Sequence, residues 1–243
     1  MSMIHFVGGE KGGVGKSVVA RLLSQYCLDK GLHYAGLDAD QSHATTTRYY
    51  KEFTQALTLD QFESTDAIME CALEADQQVV VDLPAQSQRF LDRWIDDNGV
   101  LDMCEEMNIP IVFWNVVDDS PDSLELLEKF LAKYKYYMNC IVVKNEGRGT
   151  VFKDVDALPA LTEQDDLARI LSMTLPALHS PTMFKINKRE MSFWAAVNQS
   201  DASGASLSLM ERQRTKVWMR KAYAEFDTVF SRVTNSNAVP LID

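Results

Sequence analysis

Gly8-Gly9-Glu10-Lys11-Gly12-Gly13-Val14-Gly15-Lys16-Ser17 stands between a short apolar run, Ile4 to Val7, and a segment whose Val18, Val19, Leu22, Leu23 and Tyr26 share one side of a helix. Strand, glycine loop and helix in that order frame a phosphate-binding loop. Gly9, the glycines after it and Gly15-Lys16-Ser17 read as a loop of the GxxxxGK[ST] kind. Glycines let successive backbone N–H groups converge on phosphate oxygens, and the helix N-terminus that opens near Lys16 and Val18 adds its positive dipole end. In this reading Lys16 reaches the β and γ phosphates and Ser17 ligates Mg²⁺.

Working outward, the first helix is expected to stop at Lys30-Gly31, and Tyr34 to Leu37 reads as a second strand closed by Asp38-Ala39-Asp40. Ala67, Ile68, Cys71 and Ala72 recur at helical spacing before a buried strand, Val79 to Val81, that ends in Asp82-Leu83-Pro84. A fourth strand over Ile109 to Val117, a helix over Leu124 to Tyr134 and a fifth strand over Cys140 to Val143 continue the alternation. The pattern predicts an α/β fold, doubly wound, with a mainly parallel sheet and helices on both faces. Its ligand crevice should lie beyond the C-terminal strand ends, where the acids fall. From about Thr162 the chain reads as helical, with a short strand at Met173 to Leu175, a polar loop at Asn198 to Gly204 and a long helix from about Leu207 to Phe230. We expect one domain over residues 1–232 and a flexible tail over 233–243.

An ordinary phosphate-binding loop needs no lysine at position 11. With it the loop reads KGGVGKS, which resembles the deviant Walker-A signature of the ParA/MinD family of P-loop ATPases. The resemblance implies that Lys11 reaches the nucleotide of a partner subunit in an ATP-promoted homodimer. A cation delivered across that interface neutralises transition-state charge, as arginine fingers do for a gain on the order of 10³ to 10⁵ in rate. It further implies ATP and Mg²⁺ as ligands, slow turnover stimulated by an adaptor protein, and a role in partitioning or positioning a cargo, with DNA segregation and conjugative transfer both open.

Asp38-Ala39-Asp40-Gln41-Ser42-His43 resembles the family's acidic switch-I segment, without its proline. By that resemblance Asp40 positions or activates the attacking water, and Asp38 organises the loop and the Mg²⁺ water shell. Asp82-Leu83-Pro84-Ala85 resembles the Walker-B and switch-II element, so Asp82 should hold Mg²⁺ through water. Asn145, after the fifth strand, and Pro176, after the short late strand, occupy places where related proteins line the adenine base.

The chain has 243 residues, 46% hydrophobic and 24% charged, and a net charge of −11. These values exclude global disorder. No apolar stretch approaches a membrane span, and Met1 to Val7 lacks a basic leader, so a cytoplasmic protein is expected. Four scattered cysteines and four scattered histidines suit reduced core thiols and no metal centre. The polar tail shows no apolar stripe, which argues against a membrane anchor of the MinD kind. Arg212, Arg214, Lys216, Arg220 and Lys221 cluster on one helical segment, near Lys185, Lys188 and Arg189, and read either as a non-specific DNA contact or as a solvated helix face. Phe184, Phe193 and Trp194 read either as a partner surface or as core. Two rival readings stay open: an ATP-dependent metabolic ligase of the same fold, dethiobiotin-synthetase-like or amidase-coupled, and a nucleotide-dependent binding module without hydrolysis.

Overall fold

The computed structural model describes residues 1–40, 45–74, 76–200 and 206–236. Strands β1 (Met3–Gly8), β2 (His33–Asp38), β3 (Thr54–Ala56), β4 (Gln77–Asp82), β5 (Ile111–Val117), β6 (Asn139–Asn145) and β7 (Ile170–Leu175) form one sheet in the order β3-β2-β4-β1-β5-β6-β7. Every pairing in it is parallel. Between them run α1 (Lys16–Asp29), α2 (Thr45–Tyr49), α3 (Phe62–Thr65), α4 (Ala67–Ala72), α5 (Gln88–Asn98), α6 (Val100–Glu106), α7 (Pro121–Tyr134), α8 (Lys153–Asp156) and α9 (Pro159–Thr162). After β7 come α10 (Ser180–Lys188), α11 (Phe193–Asn198) and α12 (Leu209–Ser236).

The expected strands and the doubly wound architecture are present, with informative differences at the edges. β3 carries no apolar run, so periodicity gave it no signal; it adds three residues beside β2. β5 starts at Ile111 rather than Ile109 because Pro110 lacks an N–H, although its carbonyl still accepts from Ile4 N at 3.0 Å. α7 begins at Pro121, where the Ser120 side chain caps Ser123 N, three residues before its first apolar position. The last helix runs on to Ser236 because Val233 is buried, at 1% exposure, so the flexible tail does not start at 233. Of the expected polar loop at 198–204, residues 201–204 lie outside the described residues, as do 237–243 of the tail.

Side chains alternate across the sheet and build a core on each face. On one face Val7, Trp114, Val143 and Met173 meet Leu22 and Leu23 of α1, Phe193 of α11, and Trp218 and Phe226 of α12. On the other, Ile4, Phe6, Phe113 and Val142 meet Ile68, Leu91, Trp94, Leu127 and Phe130 from α4, α5 and α7. Among the described residues all four cysteines are free, and burial pushes the Cys27 and Cys140 thiols up to about 12. No helix among the described residues is long and apolar enough to cross a membrane.

His5 interrupts the first core on β1. Its Nδ1 accepts from Trp114 Nε1 at 3.2 Å, which leaves Nε2–H to donate to Gln78 Oε1 at 3.0 Å, so the ring is satisfied while neutral. Burial lowers its pKa from 6.5 to about 4. Below pH 6.5 the unfolded chain therefore takes up a proton that the folded chain refuses until about pH 4, and stability falls with pH across that window by up to roughly 3 kcal/mol. Urea titrations from pH 7 to pH 4 should show this slope in the wild type and a shallower one in His5→Gln.

Candidate functional site

Parallel strands place the carboxyl ends of β1, β2, β4, β5 and β6 along one edge, and the loop from Gly9 to Gly15 arches over it. Two of its glycines are sterically required. Gly9, at φ +134°, would bring a Cβ to 2.9 Å from the Val116 carbonyl, and Gly15, at φ +100°, caps α1 where a Cβ would collide with the Asn145 amide. The spacing reading needs one correction: the leading position of GxxxxGK[ST], six residues before Lys16, is Glu10 rather than Gly9. Glu10 has its own task, since its carboxylate accepts from Gln88 N at 2.8 Å and its carbonyl accepts from Gln86 N at 3.3 Å. These bonds tie the loop to the segment after Asp82.

Lys16 opens α1 with its side chain inside the loop, 8% exposed, and donates to the Lys11 carbonyl at 2.8 Å. Burial lowers its pKa below the ordinary value, with Asp82, Glu10 and Asp40 opposing. Asp82 is fully buried at the end of β4, in register with Asp38 at the end of β2. Burial pushes the Asp82 carboxyl up to about 7, helped by nearby Asp38 and Asp40 and opposed by Thr46 and Ser17. Thr46 Oγ1 donates to Asp82 Oδ2 at 2.6 Å, while Oδ1 has no hydrogen-bond partner among the described residues. A buried carboxylate oxygen left open beside a serine hydroxyl fits a divalent cation. Among the described residues no group of three His, Cys, Asp or Glu side chains could hold a metal alone, so such an ion would draw its other ligands from phosphate and water.

Asp38 organises the neighbouring loop. Its Oδ1 accepts from Asp40 N at 3.1 Å, and its Oδ2 accepts from Thr47 N and Oγ1 at 2.9 and 3.1 Å. Asp40 lies at the end of this stretch, while Gln41, Ser42 and His43 lie outside the described residues.

Lys11 points away from Lys16. Its Nζ donates to both carboxylate oxygens of Asp118, at 2.9 and 3.2 Å, and to Ser120 Oγ. Burial works against the Asp118 charge, but hydrogen bonds from Ser120, Ser123 and Lys11 outweigh it and hold this carboxyl below the usual range. The adjacent Asp119 accepts from Thr150 N and Val151 N at 2.7 and 3.1 Å, so the residues after β5 brace both the phosphate loop and the loop after β6.

Asn145 is buried and bound to the loop itself. Nδ2 donates to the Val14 carbonyl at 2.8 Å and Oδ1 accepts from Gly147 N at 3.0 Å, which leaves one N–H and one lone pair uncommitted among the described residues. The Pro176 carbonyl accepts from Trp218 Nε1 at 2.6 Å, which fastens the end of β7 to α12. Gly12 and Gly13 are exposed at the loop crest, and Val14 is buried beneath it. On α12, Arg214, Lys216, Arg220 and Lys221 are exposed and Arg212 is partly buried. Phe184 and Trp194 are exposed at 66% and 52%, whereas Phe193 is core.

No family model matches the chain. Protein TraL of Escherichia coli is 28% identical to it over 242 residues, covering 93% of this chain and 98% of its own. The solved ParA family ATPase of Chlorobium tepidum superposes with a TM-score of 0.55 at 12% identity, over 90% of this chain and 97% of its own. The fold is that of the ParA and MinD ATPases. The cell division ATPase MinD of Pyrococcus furiosus agrees, with a TM-score of 0.54 at 16% identity over 94% of this chain and 100% of its own.

On this ParA/MinD fold, the loop, Asp38, Asp40 and Asp82 converge on one edge, and Asn145 joins them from behind. Sequence reasoning missed Thr46, Asp118 and Ser120. A Ser-Pro-Asp-Ser run just after a strand was a readable capping signal, but the partner of its preceding carboxylate was not. Because Asp118 masks the Lys11 ammonium, Asp118→Asn should raise acetylation of Lys11 by a succinimidyl ester, measured by peptide mass spectrometry against exposed Lys51 as internal standard.

Proposed function

We propose that the protein is an ATPase that hydrolyses ATP to ADP and phosphate and uses the triphosphate state as a dimerising switch to partition or position a cargo. One observation carries this reading: a single loop gives its two lysines different tasks. Lys16 is buried and turned inward, while Lys11 stands at the rim in an ion pair that can be exchanged for another anion. The shared fold with ParA and MinD ATPases supports ATP as the nucleotide.

In this reading backbone N–H groups of Gly9 to Val18 and the Lys16 ammonium hold the phosphates. Ser17 directly, and Asp82 through water, with Asp38 organising the water shell, would hold Mg²⁺, which neutralises phosphate charge when bound. Asp40 orients water and takes its proton as the new oxygen–phosphorus bond forms and the bond to the bridging oxygen breaks. Lys11 leaves Asp118 for the nucleotide of the partner subunit. Asn145 and Pro176 line the base. The exposed cations of α12 offer a non-specific DNA contact, consistent with a segregation or conjugative-transfer role, and an adaptor protein stimulates turnover.

Light scattering with ADP and with a non-hydrolysable ATP analogue tests the switch. A dimer that forms with the analogue, weakens in Lys11→Ala and tightens in Asp118→Asn is the expected result. An oligomeric state indifferent to nucleotide would favour the metabolic-ligase reading. Asp40→Ala should keep the analogue-bound dimer while phosphate release falls by about 10² to 10⁴; unchanged turnover would remove Asp40 from the chemistry.

A further inference from the structure

The helix α2 is only five residues long, yet it bonds in two directions. Thr46 and Thr47 reach the strand-end carboxylates Asp82 and Asp38. The next residues face the α10–α11 segment: Arg48 Nη1 donates to Glu190 Oε1 at 3.2 Å, Tyr49 OH donates to the Asn187 carbonyl at 3.3 Å, and Tyr50 OH accepts from Phe193 N at 3.4 Å. Carboxylates that define the nucleotide edge and a helical segment on the far side of α1 are thus bridged by one turn of backbone.

Under that turn lies Arg21 of α1, 2% exposed. Its guanidinium carbon is 3.4 Å from the centroid of the Tyr49 ring and 4.7 Å from that of Phe193. Nη1 donates to Asn187 Oδ1 at 2.9 Å and Nη2 to the Met191 carbonyl at 3.4 Å, while Nε has no partner. No carboxylate among the described residues forms a salt bridge with it. A buried cation whose nearest carboxylate influence, from Asp82, comes without contact is expensive, and a hydrophobic side chain of similar length would fill the space without that cost. What only arginine supplies is a planar fork that stacks on an aromatic face while bonding sideways.

We propose that Arg21 and Tyr49 are a positioning pair that sets α2, and through it the Thr46–Asp82 and Thr47–Asp38 bonds and the adjoining Asp40, so that the geometry of the hydrolytic edge and that of α10–α11 change together. The catalytic part of this inference rests on the ATPase reading; the mechanical coupling does not.

Two readouts separate them. In steady-state hydrolysis, Tyr49→Ala and Arg21→Lys are expected to lower kcat about tenfold to a hundredfold, with affinity for a fluorescent ATP analogue within about twofold of wild type. Tyr49→Phe, which keeps the ring, should retain most of the activity. Hydrogen exchange should show residues 180–198 slowing when the non-hydrolysable analogue binds to wild type, and that response lost in Tyr49→Ala. Should Arg21→Lys fail to fold, the Tyr49 variants, on a partly exposed helix, decide alone. A kcat unchanged in Tyr49→Ala, or a loss in Tyr49→Phe as large as in Tyr49→Ala, overturns the positioning role. Exchange over 180–198 indifferent to nucleotide in wild type overturns the coupling. A wild-type protein that binds the analogue and shows the exchange response but releases no phosphate sinks the ATPase reading and leaves the coupling in place.

Discussion

Parallel pairing of β1 with both β4 and β5 is the constraint on which the rest of the molecule depends. It sends the carboxyl ends of neighbouring strands to one edge, so residues far apart in sequence, at 16, 38, 82, 118 and 145, come to line the same edge of the sheet. It also buries that edge from both faces, because parallel strands are covered by crossover helices on either side. Polar side chains there lose water without finding enough protein partners. Among the described residues Asp82 keeps an open oxygen, and Lys16 has only a loop carbonyl as its hydrogen-bond partner. Such a site is electrostatically incomplete by construction, and a polyphosphate with its counter-ion has the charges that complete it.

The glycine loop is held from both flanks rather than left to its glycines. Glu10 fastens it to the segment after β4 through Gln86 and Gln88, and Lys11 fastens it to the end of β5 through Asp118 and Ser120. The two anchors differ in kind. The Glu10 bonds run to backbone amides of the same sheet edge, so any movement of the loop moves that segment as well. The Lys11 bond is an ion pair from one flexible side chain to Asp118, both only partly exposed. Neighbouring residues of one loop are therefore anchored in two ways, one by a carboxylate on backbone amides and one by an ammonium on a carboxylate.

How much of this was legible depended on whether a signal was local. The strand, glycine loop and helix around Lys16 were readable because glycine, lysine and serine act through positions only a few residues apart. Asp38 and Asp82 were readable because each closes an apolar run at a strand end. β3 was not, since Thr54-Gln55-Ala56 carries no periodicity and forms only because β2 offers it an edge. The same applies to Asp118, Thr46 and Arg21, whose roles are defined by partners 107, 36 and 166 residues away along the chain. Nothing in a sequence window marks such a pairing. Asn145 is the intermediate case: the sequence places it just past the fifth strand, the structure makes it the last residue of β6, and its bond to the Val14 carbonyl, 131 residues away, appears only in three dimensions.

The net charge of −11 is a poor guide to the surface, because the acids and bases are put to different uses. Several carboxylates are consumed internally: Asp38, Asp82 and Asp118 are bonded at the C-terminal edge of the sheet, and Glu211 ties the start of α12 to Lys185 and Ser208. On α12 the buried stripe of Thr215, Trp218, Ala222, Phe226 and Val229 points into the sheet, which turns Arg214, Lys216, Arg220 and Lys221 outward as a group. On a chain that is acidic overall these cations are exposed because a helix buries its apolar side first and exposes whatever remains.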